Sequence, residues 1–266
     1  MLECQLVAVK GNKSGSRLLA VLERIARQQP TGVSELARVL KADKSTVQRA
    51  LVTLADGGWI YSAPGTPTRW QLTGHIHLVA HLAHRSNGLS QRARAAMESL
   101  RDVSGETVGL AVPDIEGFVL IDVVESRQSL RMVPPVGAIV STEDSATSQA
   151  VLPYLPREQQ ISLLGRPVDA ALDAALKVSR RQGYSVVEDE RGGGSVNIAS
   201  PIFEVDGRPI GAVVLCAPRE RLSPKLRAGM GKLVLKTACE LSLADPKSLP
   251  QDSVFRAIGE RKSKGL

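Results

Sequence analysis

The chain has 266 residues, of which 43% are hydrophobic and 3% aromatic, and its formal net charge is +7. The apolar content excludes wholesale disorder, the length suits two domains, and the scarcity of aromatic residues argues against stacking platforms for single-stranded nucleic acid. Residues 1–85 hold 11 Lys/Arg against 5 Asp/Glu, whereas residues 86–245 hold 18 against 20 and residues 246–266 hold 5 against 2. A basic amino-terminal third indicates a polyanion-binding module on a nearly neutral body; the alternative is a solvated surface with a chance asymmetry.

The first predicted element is a helix over residues 14–29. Its apolar residues share one stripe at helical spacing: Leu18, Leu19, Leu22 and Ile25. Ser14 or Ser16 is the expected N-terminal cap, and Pro30-Thr31-Gly32 ends the segment. This segment supplies the first helix of a small amino-terminal domain.

Residues 34–57 carry the pattern of a helix-turn-helix, two amphipathic helical segments joined by a short polar turn. In the second segment, helical spacing directs one set of apolar side chains to the core: Val47, Ala50, Leu51 and Leu54. At about 100° per residue, the opposite face carries Ser45, Gln48, Arg49, Val52 and Asp56, with Thr46 and Thr53 at its flanks. We therefore expect the second helix to present a polar face that reads base edges in the major groove of duplex DNA.

Two strand-like runs within residues 59–72, on either side of Pro64-Gly65-Thr66-Pro67, predict a hairpin with Arg69 near its tip. Three helices and a hairpin make a winged helix-turn-helix. The predicted groove readers are Ser45, Thr46, Gln48 and Arg49, with glutamine suited to adenine and arginine to guanine. The predicted phosphate contacts are Arg17, Lys44 and Arg69, which set register rather than sequence preference. The alternatives are that Ser45 is a plain helix cap and Arg69 a solvated hairpin arginine.

All four histidines lie within residues 75–84, on a helix predicted to link two domains. His77, His81 and His84 share one face at i, i+4 and i+7, a spacing at which histidines can bind zinc. The segment has no Cys, Asp or Glu to complete a metal shell. We therefore favour a contact helix with partly solvated imidazoles and expect no metal ligands. Another helix, over residues 89–103, leads into the next domain.

From residue 106 onward, strands and helices alternate. Residues 106–112 and 117–126 read as paired strands, 142–155 and 169–184 as helices, 196–205 and 208–218 as a hairpin, and 222–244 as a final helix. The pattern predicts an α/β sensor-like domain rather than a doubly wound nucleotide-binding fold. Residues 191–195 are glycine-rich but precede a strand, so they are a weak candidate for a phosphate loop.

No convincing catalytic set occurs. The second domain contains no histidine, so Ser-His or Cys-His nucleophilic chemistry has no local base. The carboxylate run Glu188-Asp189-Glu190 is typical of a solvated loop rather than a metal site. Cys4, Cys216 and Cys239 are odd in number without a CxxC, and no membrane-spanning or signal-peptide pattern is present. We expect a cytoplasmic protein that is not an enzyme, needs no cofactor and has no membrane partner.

Along nearly its whole length, the chain resembles the IclR-type family of bacterial transcriptional regulators. The matching segments are SRLLAVLERIA, SELARVLKADKSTVQRALVTLADGGWI, the helix start SATSQAVL, and RQGYSVVEDERGGGSVNIASPIFEVDGRPIGAVVLCAP, the most specific block. The resemblance implies a carboxy-terminal domain that binds a small metabolite, often an organic or aromatic acid. It also implies assembly as a homodimer or a dimer of dimers.

In the family, the effector is held by the start of the helix that matches SATSQA and by the strands that match VNIASP and VVLCAP. Carried over, the resemblance implicates Ala146, Thr147, Glu188 or Asp189, Asn197, Val214 and Cys216. Backbone N–H groups at a helix start also form a natural carboxylate site, which adds Ser145 to this set. Cys216 could equally be buried strand core. The chain has Ser148-Gln149 where the family usually has Gly-Lys, which bears on the effector's identity more than on the fold.

These predictions combine into an α+β chain with a winged helix-turn-helix DNA-binding domain over residues 12–73 and a linker helix over 74–88. A C-terminal α/β (GAF/PAS-like) effector-binding domain follows over 89–245, and then a basic, flexible tail over 246–266. The predicted function is a repressor of a catabolic operon that binds double-stranded operator DNA and responds to a small acid. The competing hypothesis is a constitutive DNA-binding protein whose C-terminal domain only oligomerises.

Overall fold

The computed structural model describes residues 12–115, 117–189 and 194–263, with their side chains except those of residues 81, 83–87, 189 and 261–263. The chain divides into two compact units, one that ends at Asn87 and one that begins at Gly88. Each unit has its own hydrophobic core. Among the described helices, none combines the length and apolar character that crossing a bilayer requires.

The first unit combines helices with a small antiparallel sheet. Its described helices are α1 (Lys13–Arg27), α2 (Val33–Val39), α3 (Lys44–Asp56) and α4 (His75–Asn87). Its strands are β1 (Thr31–Gly32), β2 (Ile60–Ala63) and β3 (Arg69–Leu72), in the order β1-β3-β2. The predicted winged arrangement of three helices and a hairpin is confirmed. The short strand β1, which the sequence pattern did not indicate, extends the hairpin into a three-stranded sheet.

The core of the first unit forms where the apolar stripes of α1, α2 and α3 meet the inner face of the sheet. Its most buried members are Val21, Ile25, Leu36, Val47, Leu51, Leu54 and Ile60. The cap of α1 is Asn12, whose side-chain oxygen accepts the Ser14 N–H at 2.9 Å. The prediction of Ser14 or Ser16 as the cap was wrong, because the helix begins before either residue.

The second unit is a six-stranded antiparallel sheet covered by helices. Its strands are β4 (Thr107–Asp114), β5 (Gly117–Val124), β6 (Ile139–Val140), β7 (Ser185–Asp189), β8 (Ser195–Phe203) and β9 (Pro209–Pro218), in the order β6-β5-β4-β9-β8-β7. Its described helices are α5 (Leu89–Ser104), α6 (Ala146–Val151), α7 (Arg157–Leu164), α8 (Ala170–Gln182), α9 (Pro224–Leu241) and α10 (Val254–Ser263). The predicted pairs β4–β5 and β8–β9 are confirmed, whereas α7 and β7 were not predicted.

Alternation along the central strands gives the sheet two different faces. Val213 and Leu215 of β9 enter the larger core, which contains residues of α5 and α9. Val214 and Cys216 of the same strand point the other way and join a smaller cluster with Ala146 of α6. Successive strand residues must point to opposite faces, so the apolar run of β9 serves both cores. The α6 face is the one that carries the cavity described below.

Residues 246–263 include the helix α10, whereas a flexible tail was predicted for residues 246–266. Phe255 of α10 is 4% exposed, and its ring meets those of Phe203 and Tyr154 edge-on at centroid distances of 4.9 and 6.3 Å. The guanidinium of Arg180 donates two hydrogen bonds to the Asp252 carboxylate, at 2.7 and 3.0 Å. These aromatic contacts stabilise the packing of α10 on the rest of the second unit, because undocking the helix would expose the large apolar ring of Phe255 to water.

Candidate nucleic-acid interface and ligand cavity

One face of α3 is buried and the other is open to solvent. The buried face consists of Val47, Ala50, Leu51 and Leu54, each at most 9% exposed. The exposed face consists of Lys44, Ser45, Gln48, Arg49, Val52 and Asp56, and Thr46 beside it is half-buried. The predicted groove readers therefore share one side of the helix. A helix with this division can enter a groove without disturbing its own core.

The turn before α3 sets where the exposed face begins. Lys41 adopts a left-handed conformation with φ of 48°, and the following Ala42 N–H donates to the Ala37 carbonyl at 3.0 Å. Asp43 is the N-cap residue of α3, although its side chain makes no capping hydrogen bond. The alternative reading of Ser45 as the helix cap is therefore wrong. Ser45 stands in the first turn, where its side chain is exposed.

The three cationic residues predicted to bind phosphates have different surroundings. Arg17 and Lys44 are exposed, and neither forms an ion pair within the described part of the chain. Arg69 donates from Nη1 to the Pro30 carbonyl at 2.9 Å and lies 3.7 Å from the Glu35 carboxylate. As the first residue of β3, it also pairs with Gly32 of β1. Arg69 thus joins parts of the first unit, which the sequence pattern did not indicate.

The histidine-rich helix α4 begins with a ring contact. The His75 ring meets the Trp59 ring edge-on at a centroid distance of 4.6 Å, and the His75 N–H donates to the Thr73 hydroxyl. His77 is exposed. The side chains of His81 and His84 lie outside the described residues. Among the side chains that are described, no group of three or more His, Cys, Asp or Glu residues could hold a metal ion.

A cavity of about 540 Å³ lies on the α6 face of the sheet in the second unit. Alternate residues of three strands form its floor: Leu120 of β5, Ser195 and Asn197 of β8, and Val214 and Cys216 of β9. Ser145, Ala146 and Thr147 at the start of α6 form one side. Six of the residues predicted to bind an effector therefore border the same space. They come from segments that are distant in the sequence: Asn197 pairs with Cys216 in the sheet, and Ala146 of α6 packs in the cluster that contains Val214 and Cys216.

Polar groups line the cavity at the start of α6, on β8 and on the segment that precedes α6. The Ser145 hydroxyl oxygen caps α6 by accepting the Ser148 N–H at 3.1 Å. The N–H groups of Ala146 and Thr147 belong to the first turn, where a helix offers its own amides no acceptor. Asn197 donates from Nδ2 to the Ser195 hydroxyl at 3.2 Å. Burial raises the pKa of the Cys216 thiol to about 12, so this cavity residue is neutral at ordinary pH.

Glu188, also predicted to bind the effector, does not line the cavity. Its carboxylate accepts a hydrogen bond from Arg227 of α9 at 2.8 Å and forms an ion pair with Arg219. The preceding Val187 packs with the cavity-side cluster, so Glu188 points to the opposite face of the sheet. The side chain of Asp189, the other residue of that prediction, lies outside the described residues, as do residues 191–193 of the glycine-rich run.

Sequence reasoning missed a further wall of the cavity. It is the segment between β5 and α6, which includes β6, and it contributes Met132, Val133, Pro134, Ala138, Ile139, Val140, Ser141, Glu143 and Asp144. It is attached to β5 by the pairing of β6 and by two further hydrogen bonds, in which the Gly137 N–H donates to the Leu120 carbonyl at 2.7 Å and the Leu120 N–H donates to the Ala138 carbonyl at 3.0 Å. The run Pro134-Pro135-Val136-Gly137 indicates an irregular segment, but it carries no signal of what that segment covers.

Comparison with known proteins extends over both units. The family model described as the IclR helix-turn-helix domain matches residues 15–64, and the model described as the C-terminal part of the bacterial transcriptional regulator IclR matches residues 81–243. The acetate operon repressor of Salmonella typhimurium is 30% identical to this chain over 246 residues. That match covers 87% of this chain and 89% of the relative.

Two solved structures show the same fold. A putative IclR-type transcriptional regulator from Silicibacter sp. TM1040 superposes with a TM-score of 0.75 at 21% identity, covering 90% of this chain and 99% of that one. An IclR homologue from Microbacterium hydrocarbonoxydans, solved in complex with 4-hydroxybenzoate, gives a TM-score of 0.73 at 18% identity. The second match covers 86% of this chain and 97% of the homologue.

Proposed function

Because this chain belongs to the IclR family of bacterial transcriptional regulators, a family of DNA-binding proteins and not of enzymes, we propose that it represses a catabolic operon under the control of a small acid. One relative, the acetate operon repressor, is named as the repressor of an operon. In the proposed mechanism, α3 holds operator DNA, and binding of the effector in the second unit favours a state that releases the DNA.

The observation that carries the proposal is the outward face of α3. Gln48 and Arg49 are exposed while their helix is anchored by a fully apolar inner face. We assign Gln48 to an adenine and Arg49 to a guanine, with Ser45 and Thr46 completing the base contacts. Arg17 and Lys44 are assigned to phosphates, which position the helix without reading sequence. The ties of Arg69 to Pro30 and Glu35 favour a structural role for that residue instead.

The cavity of the second unit is the proposed effector site. Its volume of about 540 Å³ falls within the range of roughly 300–1,000 Å³ that is usual for small-molecule sites. Apolar residues such as Met132 and Val214 suit the body of an aromatic or aliphatic acid. The amides of Ala146 and Thr147, together with Asn197, are the proposed partners of its carboxylate.

We propose that the working species is a homodimer or a dimer of dimers. Two copies of α3 would then meet successive half-sites about 34 Å apart, or a multiple of that spacing. An effector can shift the DNA-binding equilibrium only by its difference in affinity between two states of the oligomer. The effector therefore has to bind the DNA-free state more tightly.

The first test is selection of genomic fragments by the purified full-length chain, followed by a thermal-shift screen of small carboxylic acids that includes 4-hydroxybenzoate. The proposal expects a few strongly enriched fragments upstream of catabolic genes and at least one acid that raises the melting temperature. The same acid should release the enriched fragment. Enrichment without any stabilising acid would instead support constitutive DNA binding by a chain whose second unit only oligomerises.

A further inference from the structure

Val52 is an apolar side chain on the exposed face of α3. It is 46% exposed, whereas Val47 and Leu51 on the inner face are fully buried. Val52 follows Gln48 by four residues and Arg49 by three, so it stands one turn further along the same side of the helix. The exposed residues of this face are otherwise polar or charged.

Folding gives no reason for a valine at this position. A β-branched residue is a weaker helix former than alanine or a straight-chain residue, because its side chain loses rotamer freedom against the preceding turn. Its exposed position also leaves the side chain without the burial that stabilises core valines. A lone exposed apolar residue is common on protein surfaces, but this one lies beside the two side chains assigned to base recognition.

The major groove offers such a side chain one apolar partner. The C5-methyl group of thymine projects there beside the O4 acceptor, whereas cytosine carries only hydrogen at C5 and an amino group at C4. Valine has no hydrogen-bonding atom in its side chain, so it can favour thymine only through contact with this methyl.

We propose that Val52 packs on the C5-methyl of an operator thymine and thereby adds a base preference to those of Gln48 and Arg49. The helix rises about 1.5 Å per residue, which places Val52 roughly 4.5–6 Å beyond these two residues. Base pairs are spaced about 3.4 Å apart. The thymine therefore lies within about two base pairs of those that Gln48 and Arg49 read. This inference rests on the proposed function, since it requires α3 to occupy the major groove.

The test replaces each operator thymine in turn by deoxyuridine, which lacks only the methyl group. Affinities of the full-length chain and of Val52→Ala for each duplex are measured by fluorescence anisotropy. At one position per half-site, deoxyuridine should lower the affinity of the unaltered chain about fourfold, which is the effect of losing one buried methyl group. Val52→Ala should bind the thymine and deoxyuridine duplexes equally at that position. Alanine is a better helix former, so loss of α3 would not explain this result.

Leu19→Ala is the matched control, because Leu19 is a similarly exposed aliphatic residue of the same unit, 57% exposed on α1. It should retain the deoxyuridine response of the unaltered chain. The proposal is overturned if no position responds to loss of the methyl, or if Val52→Ala shows the same response as the unaltered chain. Failure of the unaltered chain to bind any duplex would instead overturn the proposed function, and this inference with it.

Discussion

Arg221 forms a bidentate ion pair with Glu106, in which Nε and Nη2 each donate a hydrogen bond of 2.7 Å to a different carboxylate oxygen. The Glu106 side chain is only 7% exposed, and its hydrogen bond raises the pKa of the Arg221 guanidinium. The remaining terminal nitrogen of Arg221 donates to the Leu130 carbonyl at 2.8 Å. The pair therefore joins the residue before β4 and the turn after β9 to the segment that becomes the cavity wall.

Replacing Glu106 by Gln should lower the free energy of unfolding by about 2–3 kcal/mol. Removing one partner of a fully buried pair costs about 3–5 kcal/mol, and the loss is smaller here because Arg221 is 30% exposed. Denaturant unfolding measures the change. Lys236→Gln, which breaks an exposed pair with Glu240, is the control and should cost under about 1 kcal/mol. Equal losses in the two variants would show that the Glu106 pair contributes no more than a surface contact.

Lys44→Ala should weaken binding to every duplex by a similar factor. A lysine on a phosphate releases a counterion on binding, so the slope of log affinity against log salt should become shallower by about 0.9 for each phosphate that the variant no longer neutralises. Titrations of operator and random duplexes over a salt series provide both quantities. Lys225→Ala, at an exposed site of the second unit, should leave the slope unchanged. A change of base preference in Lys44→Ala would contradict its assignment to a phosphate.

Arg69→Ala should act on stability rather than on DNA. Loss of its hydrogen bond to Pro30 and its ion pair with Glu35 removes about 1 kcal/mol, because the side chain is about half exposed. Thermal unfolding should show this loss, and the salt slope of DNA binding should match that of the unaltered chain. If the salt dependence of Arg69→Ala became as shallow as that of Lys44→Ala, Arg69 would bind a phosphate, as the sequence analysis predicted.

Unfolding should become easier at alkaline pH because of two buried acids. Burial raises the pKa of Cys216 from 9.0 to about 12 and that of Tyr154 from 10.0 to about 12. Between the lower and upper values, the unfolded chain has released the proton and the folded chain has kept it. The free energy of unfolding therefore falls by about 1.4 kcal/mol per pH unit above pH 9.0 because of Cys216, and by the same amount again above pH 10.0 because of Tyr154, as pH rises towards 12. In Cys216→Ala the free energy of unfolding should fall less steeply with pH, by the contribution of one group. A pH dependence identical to that of the unaltered chain would contradict the raised pKa of Cys216.

Helical and strand periodicity predicted much of the fold because they depend only on neighbouring residues. The spacing of Val47, Leu51 and Leu54 was enough to place Gln48 and Arg49 on the exposed side of α3. The resemblance to a known family added cavity residues as distant in sequence as Ala146 and Cys216. The pairing of β8 with β9 followed from two apolar runs around a turn.

What escaped prediction depended on contacts between distant segments. The orientation of Glu188 is set by the register of β7, and a shift of one residue exchanges the two faces of a strand. Arg69 donates a hydrogen bond to the carbonyl of Pro30, which lies 39 positions earlier in the chain. Phe255 is buried against Phe203 and Tyr154, which belong to distant parts of the second unit. None of these partners is visible from the composition of the segment itself.

Whether the outward face of α3 reads operator sequence is tested by binding measurements on a set of operators that each carry one changed base pair. The affinities of the full-length chain and of Arg49→Ala are compared for each operator. If this face reads the operator, Arg49→Ala should lose about 1–3 kcal/mol of binding free energy on the operator and become indifferent to the base at one position per half-site. Its binding to random duplex should persist at low salt, where phosphate contacts dominate. An Arg49→Ala variant that keeps the full base preference at every position would show that the outward face of α3 does not read the operator through Arg49.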